Sequence, residues 1–365
     1  MNSKTNSILI VGSGLAGSTL AMELAQRGVH VVLIDNQFPQ SSSRVAAGLL
    51  NPIVPKGVRK TWQCDTLFPA LYDYYTHWEK ALDAKFIHRY PFLNLHANAN
   101  ETHEWNKQRE NASMANWLSK AAPDDFNQLP FEDATWVNHC GRLDVPALLS
   151  AVQHHFFSQG QYFTEQFNYN ELKKSNALWC YKEKEYDAVV FCEGIGVLEN
   201  PWFQWLFFDP TGGDILTVHI PNLGATPRII KQKQWIVPTG EPDIYLLGSN
   251  FHKNSLSHVP ETSDAEALIL RAQQITQQPV TLLSHQRAVR PTVQQRRPYL
   301  GEHQPEKGLF VYNGLGAKGS SLCSWLSPML AEHILAGKPV NEEVDIARFN
   351  GTKKWISRGL TGNLV

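Results

Sequence analysis

Ile8, Leu9, Ile10 and Val11 form a short apolar run, and Gly12, Gly14 and Gly17 follow it at once in the spacing GxGxxG. This junction constrains the chain more than any other feature. A four-residue apolar run reads as a parallel strand buried on both faces. From Leu15 to Arg27, Leu15, Leu20 and Leu24 alternate with Ala16, Ala21 and Ala25 at helical spacing, and Gly28 closes the helix. A second apolar run, Val29 to Ile34, ends at Asp35. The whole is a βαβ opening, the context in which GxGxxG carries meaning. Gly12 permits the tight turn, Gly14 lets a pyrophosphate come close to the backbone, and Gly17 lets the helix close on the strand. The helix start at Leu15 and Ala16 offers N–H groups and partial positive charge to phosphates. Asp35 is placed to hold a ribose hydroxyl pair. The motif by itself leaves NAD and FAD both open.

The strand-then-glycine pattern recurs twice. Residues 187–192 precede Gly194 and Gly196, and Leu309 to Tyr312 precede a second glycine-rich turn with Gly314, Gly316, Ala317, Lys318 and Gly319, which opens another helix. A chain of 365 residues is long enough for two cores. The expected fold is therefore α/β, with a discontinuous Rossmann-type nucleotide domain at 1–60, 140–200 and 287–365. A second, mixed-sheet substrate domain is expected at 61–139 and 201–286. Aromatics crowd residues 200–210, where burial is the expectation.

Lys and Arg total 33 against 34 Asp and Glu, so no global positive field exists to attract nucleic acid or anionic lipid. The five cysteines are scattered without CxxC spacing, which reads as reduced thiols. No HExxH or His/Cys cluster supports a metal, and no GxSxG element supports a serine hydrolase. No segment approaches the roughly 18 apolar residues of a membrane span, and the first apolar run is too short for a signal segment. Cytoplasmic residence is expected.

Four segments together decide the nucleotide. Residues 43–50 (SRVAAGLL), 187–194 (DAVVFCEG), 290–301 (RPTVQQRRPYLG) and 308–319 (GLFVYNGLGAKG) occur in this order. In that they resemble the D-amino-acid oxidase-like FAD family, which includes glycine oxidase, sarcosine oxidase and the oxidase domain of a bifunctional tRNA-modifying enzyme. The resemblance implies FAD, with Ser43 and Arg44 near its phosphates and Gly48 and Leu49 lining the flavin. It implies that the Phe167 backbone meets adenine, and that Gly194 belongs to a cofactor-contacting turn. The Gly314 to Gly319 turn would meet the pyrimidine edge of the flavin, where Lys318 adds a positive charge. Arg290 would anchor a substrate carboxylate through a bidentate fork. Trp235, where relatives often carry a tyrosine, and Tyr245 would line the substrate cavity. Arg287, Arg296 and Arg297 crowd the Arg290 segment. Residues 289–301 contain no cysteine of the kind that tethers flavin in sarcosine oxidases, so noncovalent FAD is expected.

The implied reaction oxidises the amine of an amino acid or N-substituted glycine, passing a hydride equivalent to flavin N5, with oxygen or another carrier as electron acceptor. Two other readings stand beside it: a tRNA-modifying oxidase acting on a carboxymethylaminomethyl uridine, and a non-catalytic flavoprotein.

Overall fold

The computed structural model describes residues 6–126, 129–131, 133–224 and 226–350. The chain divides into two compact units. Unit 1 comprises Met1–Arg44, Leu149–Thr211 and Val289–Val365, and unit 2 comprises Val45–Leu148 and Gly212–Ala288.

Unit 1 is a six-stranded sheet in the order Tyr162–Thr164, His30–Asp35, Ser7–Val11, Ala188–Phe191, Leu309–Asn313 and Tyr299–Glu302. The first five strands are parallel, and the last is antiparallel. Their apolar side chains are almost all buried, as strands covered on both faces require. The helix Leu15–Gln26 carries the crossover from Ser7–Val11 to His30–Asp35, on one side, while Ala188–Phe191 pairs on the other. The strand Ser7–Val11 thus stands at a topological switch point, where parallel sheets open a crevice beyond their carboxyl ends. The helix Gly319–Ala336 lies against Leu15–Gln26. Thr19 Oγ1 is 2.8 Å from Ser327 Oγ, which is 3.0 Å from the Tyr312 hydroxyl. From the aromatic segment, Phe203 and Leu206 enter this unit's core and Trp202 and Phe208 pack against it.

Unit 2 holds a nine-stranded mixed sheet. Eight strands run in the order His252–Lys253, Thr211–His219, Ile244–Gly248, Trp235–Pro238, Ile229–Lys231, Phe92–Leu95, Ala134–Val137 and Leu118–Lys120, and Thr281–Arg290 also pairs with Thr211–His219. Ile229–Lys231 joins Phe92–Leu95 in parallel, whereas its other neighbour, Trp235–Pro238, is antiparallel. The helix Thr262–Thr276 buries Leu268, Ala272 and Ile275 against Leu93, Leu216, Ile236, Tyr245 and Leu247. One fully buried cation fixes this helix: Arg287 Nε is 3.0 Å from Asp214 Oδ1 and Nη2 is 2.9 Å from Asp214 Oδ2. The same guanidinium donates to Glu261 and Asp264 at the helix start. Asp214, His252 and Asp264 have metal-like spacing, but the cation among them is Arg287.

The division differs from the expected boundaries at 60, 139, 200 and 286 by placing residues 45–60, 140–148 and 287–288 in unit 2 and residues 201–211 in unit 1. For residues 45–60 and 140–148 the link is a two-residue strand, Leu49–Leu50. It pairs with Gly141–Leu143, which also pairs with Ile87–Arg89.

Candidate FAD and substrate site

The first glycine turn is held closed by its own atoms and by two side chains from further along the chain. Gly12 has φ +95°, and a Cβ there would lie 2.6 Å from the Cys192 carbonyl oxygen. A Cβ on Gly17 would lie 1.9 Å from the Gly12 carbonyl oxygen, so nothing but glycine lets the helix begin this close to the strand. At Gly14 the nearest atom would be Ser43 Oγ, at 2.9 Å. That hydroxyl accepts the Leu15 N–H at 3.0 Å, supplying one of the acceptors a helix start lacks. Asp35 accepts the Ser13 N–H at 2.7 Å and the Gln37 N–H at 2.6 Å, and Arg44 Nη2 lies 3.7 Å from its carboxylate. Asp35, Ser43 and Arg44 are thereby brought to one turn with Gly12, Gly14, Leu15, Ala16 and Gly17.

The second glycine turn lies beside the first. Gly314 and Gly316 both have positive φ, and Gly316–Lys318 forms a 3-10 turn before the helix Gly319–Ala336. A Cβ on Gly319 would be 3.3 Å from Leu15 Cδ1, so two helix N-termini meet here and their partial positive charges add. Lys318, the residue preceding the second helix, is half-buried, and Ala317 is exposed. Asn313 was not singled out in the sequence, yet it builds this region. Its Nδ2 donates to the Gly194 carbonyl at 2.8 Å and its Oδ1 accepts the Gly314 N–H at 2.8 Å. The signal was a polar residue ending a strand whose every member is buried. Glu193, next to Gly194, was also passed over. Tyr169 and Asn200 donate to its two oxygens at 2.5 and 2.8 Å, and burial pushes its carboxyl up to about 7.

The remaining candidates separate. Arg290, half-buried, ends the strand Thr281–Arg290, and its carbonyl accepts the Thr292 N–H at 2.8 Å. The segment after it packs on the second glycine turn: a Cβ on Gly314 would be 2.9 Å from Val293 Cγ1, and one on Gly316 would be 3.8 Å from Thr292 Oγ1. Of the crowding arginines, Arg287 is bound into its acidic cluster, Arg297 pairs with Glu343 at 2.9 Å, and Arg296 is an exposed turn residue. The Phe167 ring is core, stacked 4.5 Å from Tyr181. Gly48 and Leu49 lie in unit 2, where Gly48 accepts the Leu143 N–H at 2.9 Å and leaves no room for a Cβ. Trp235 and Tyr245 do not share a face. Tyr245 faces Pro238 and the core under Thr262–Thr276, whereas Trp235 pairs with Gly248 on the other side and lays its indole across that glycine.

The two turns fit FAD. Their glycines leave cradles that any Cβ would fill, and their donors are backbone N–H groups, a hydroxyl and cations, suited to a diphosphate and an electron-rich ring. Comparison with known proteins agrees. The sequence profile of the family described as DAO, FAD dependent oxidoreductase, matches residues 7–333. The glycine oxidase structure of Bacillus cereus superposes with a TM-score of 0.77 at 19% identity, covering 93% of this chain and 97% of that one. The iminodiacetate oxidase of Chelativorans superposes with a TM-score of 0.74 at 18% identity over 92% of this chain and 97% of that one. By sequence, a tRNA 5-methylaminomethyl-2-thiouridine biosynthesis bifunctional protein from Leptospira borgpetersenii is 22% identical over 94% of this chain, which spans 59% of that protein. Among the described residues no helix is long and apolar enough to cross a membrane.

Proposed function

The chain belongs to the DAO family of FAD dependent oxidoreductases, and from that premise we propose that it oxidises an amine beside a carboxylate, in an amino acid or an N-substituted glycine. The observation that carries this reading is the packing of the arginine-bearing segment, through Thr292 and Val293, on the second glycine turn. When bound, FAD supplies the two-electron acceptor for the substrate carbon. The chain's own residues do the rest. Arg290 offers a planar fork that fixes a carboxylate and with it the neighbouring C–H, converting a chance encounter into a held geometry. The N-terminus of Gly319–Ala336 and the Lys318 charge favour negative charge on the ring they face. Water then hydrolyses the imine product. No side-chain base is assigned. The absence of a cysteine in 289–301 supports noncovalent FAD. Two proteins of similar fold are, by name, oxidases of glycine and of iminodiacetate, an amino acid and an N-substituted glycine.

The test is Arg290→Ala with FAD content matched. Loss of a charge-assisted bidentate contact of roughly 1.5–3 kcal/mol should weaken carboxylate substrates about 10- to 150-fold. Amines lacking the carboxylate should be unaffected, and Arg290→Lys should recover part of the loss. Equal slowing of both substrate kinds would make the arginine structural. The Leptospira relative favours one second reading, a carboxymethylaminomethyl uridine in tRNA, whose amine also neighbours a carboxylate. Salt-sensitive tRNA binding would support it, since phosphate contacts demand cations that a net charge of −1 does not supply globally.

A further inference from the structure

In unit 1, the strand Ala188–Phe191 runs out into a short segment that touches both glycine turns. On one side, a Cβ built on Gly12 would lie 2.6 Å from the Cys192 carbonyl oxygen and 3.3 Å from Glu193 Cα. On the other, the Gly194 carbonyl accepts Asn313 Nδ2 at 2.8 Å. Glu193 stands between them, and its carboxylate is met by two rigid, neutral donors. The Tyr169 hydroxyl donates to one oxygen and Asn200 Nδ2 to the other, at 2.8 Å. Asn200 is fully buried, and its Oδ1 already accepts the Trp202 and Phe203 N–H groups, so its amide can present only N–H to the glutamate. The Tyr169 ring is held among Phe167, Phe191 and Trp202. The titratable groups around the carboxyl are Tyr169, Cys192 and Glu199, each able only to add negative charge. No Lys, Arg or His among the described residues lies within 4.0 Å of it. The residue keeps some exposure, yet its carboxyl lies deep enough that burial pushes it up to about 7. Burial, and then the Glu193 charge, push the Tyr169 hydroxyl and the Cys192 thiol up as well. A carboxylate given hydrogen bonds but no counter-ion is one whose charge is readily lost.

We propose that Glu193 couples FAD binding to proton uptake: its ionised form opposes the diphosphate at the first glycine turn, and its protonated form admits it. The reason is Coulombic. Like charges raise each other's energy, and the more so where water is excluded between them. The helix N-termini draw phosphate at every pH, whereas the charge beside them on Glu193 changes near neutrality. By linkage, a ligand that disfavours the ionised glutamate is itself bound more weakly as that glutamate ionises. The proton passes from solvent to a Glu193 carboxylate oxygen, and no bond to FAD forms or breaks. The surroundings suit both states, because the Tyr169 oxygen can accept from a protonated carboxyl while Asn200 donates to the other oxygen. Glu193 therefore sets the pH range over which the cofactor is retained. The inference rests on the first turn holding the diphosphate, and on nothing about the substrate.

The experiment titrates FAD into the full-length, flavin-stripped chain between about pH 6 and pH 8.5 at constant ionic strength, for wild type, Glu193→Gln and Tyr169→Phe, with flavin fluorescence as the signal. Calorimetry of wild type in two buffers of different ionisation heat counts the protons taken up, which requires neither turnover nor a variant. If bound FAD disfavours the charged glutamate about ten- to hundredfold, wild type should bind FAD about 5- to 25-fold more weakly at the upper pH than at the lower. It should also take up roughly half a proton or more near neutrality. Glu193→Gln keeps both hydrogen bonds and cannot ionise, so its affinity should stay level across the range. Tyr169→Phe removes a donor to the ionised form, so its affinity should begin to fall at a higher pH than wild type. A wild-type affinity that is level with pH, binding without proton uptake, a slope that survives Glu193→Gln, or an onset unmoved in Tyr169→Phe overturns the proposal. A Gly14→Val protein that retains FAD would remove the turn assignment beneath it, whereas a colourless Gly14→Val beside a level wild-type profile removes the role of Glu193 alone.

Discussion

The turn after Ser7–Val11 and the turn after Leu309–Asn313 share a plan of buried strand, glycines and helix, but they are closed by different means. The first is closed from outside: Ser43 caps the helix start and Asp35 holds the Ser13 amide, both from beyond the crossover. The second is closed by its own strand, whose last residue, Asn313, reaches sideways to Gly194 and forward to Gly314. The first turn therefore has a surface of backbone donors over glycine, as a diphosphate requires. The second adds a cation, Lys318, at a helix start, which suits a group whose charge changes during reaction. On the reading proposed above, similar local sequence thus yields one site for holding the cofactor and another for tuning it.

Breaking the first turn should have the largest effects, and two glycines separate its two roles. Gly17→Val places atoms on the Gly12 carbonyl, so the protein should fail to fold, as circular dichroism and solubility would reveal. Gly14→Val meets only the Ser43 hydroxyl, a side chain able to move. That protein should fold yet purify colourless, because the diphosphate's space is filled. A yellow, FAD-replete Gly14→Val would contradict the assignment of this turn.

Asn313→Ala comes next, since it leaves the Gly194 carbonyl and the Gly314 amide without their partner. The cost should be about 1–3 kcal/mol for an unsatisfied buried group. Thermal unfolding should show it as a melting temperature lower by several degrees, and FAD should bind more weakly as well. Unchanged stability and retention would mean that the second turn stands without its strand end.

The smallest effect belongs to Lys318→Met. With FAD retained, a charge at a helix start worth about 0.3–1 kcal/mol corresponds to a flavin potential lower by roughly 5–20 mV. Spectroelectrochemistry would register it. An identical potential would assign the tuning to the helix terminus alone.

These contrasts also show how much of the fold and the site is legible in the sequence. The βαβ opening and the two later strand–glycine junctions could be read because apolar runs and glycines act locally. Residues 45–60 and 140–148 cluster with unit 2 because Leu49–Leu50 pairs with Gly141–Leu143, a pairing that local periodicity does not express. The resemblance picked Arg290 from a crowd of arginines, and what takes Arg287 out of that crowd is Asp214, 73 residues away and invisible to local pattern. Trp235 and Tyr245 looked alike as strand aromatics. Their assignment to opposite faces depends on the register of two strands, which a single sequence leaves open. Asn313 is an ordinary polar residue until the Gly194 carbonyl and the Gly314 amide give it partners.

The most direct test of the central claim is an anaerobic screen of amino acids and N-alkyl glycines against the purified, FAD-loaded protein, followed at the flavin absorbance band. The account predicts rapid bleaching by at least one amine bearing a neighbouring carboxylate, and far slower bleaching by the same amine with that carboxylate replaced by a neutral group. A flavin that no amine reduces, or that acid and neutral amines reduce alike, would contradict it.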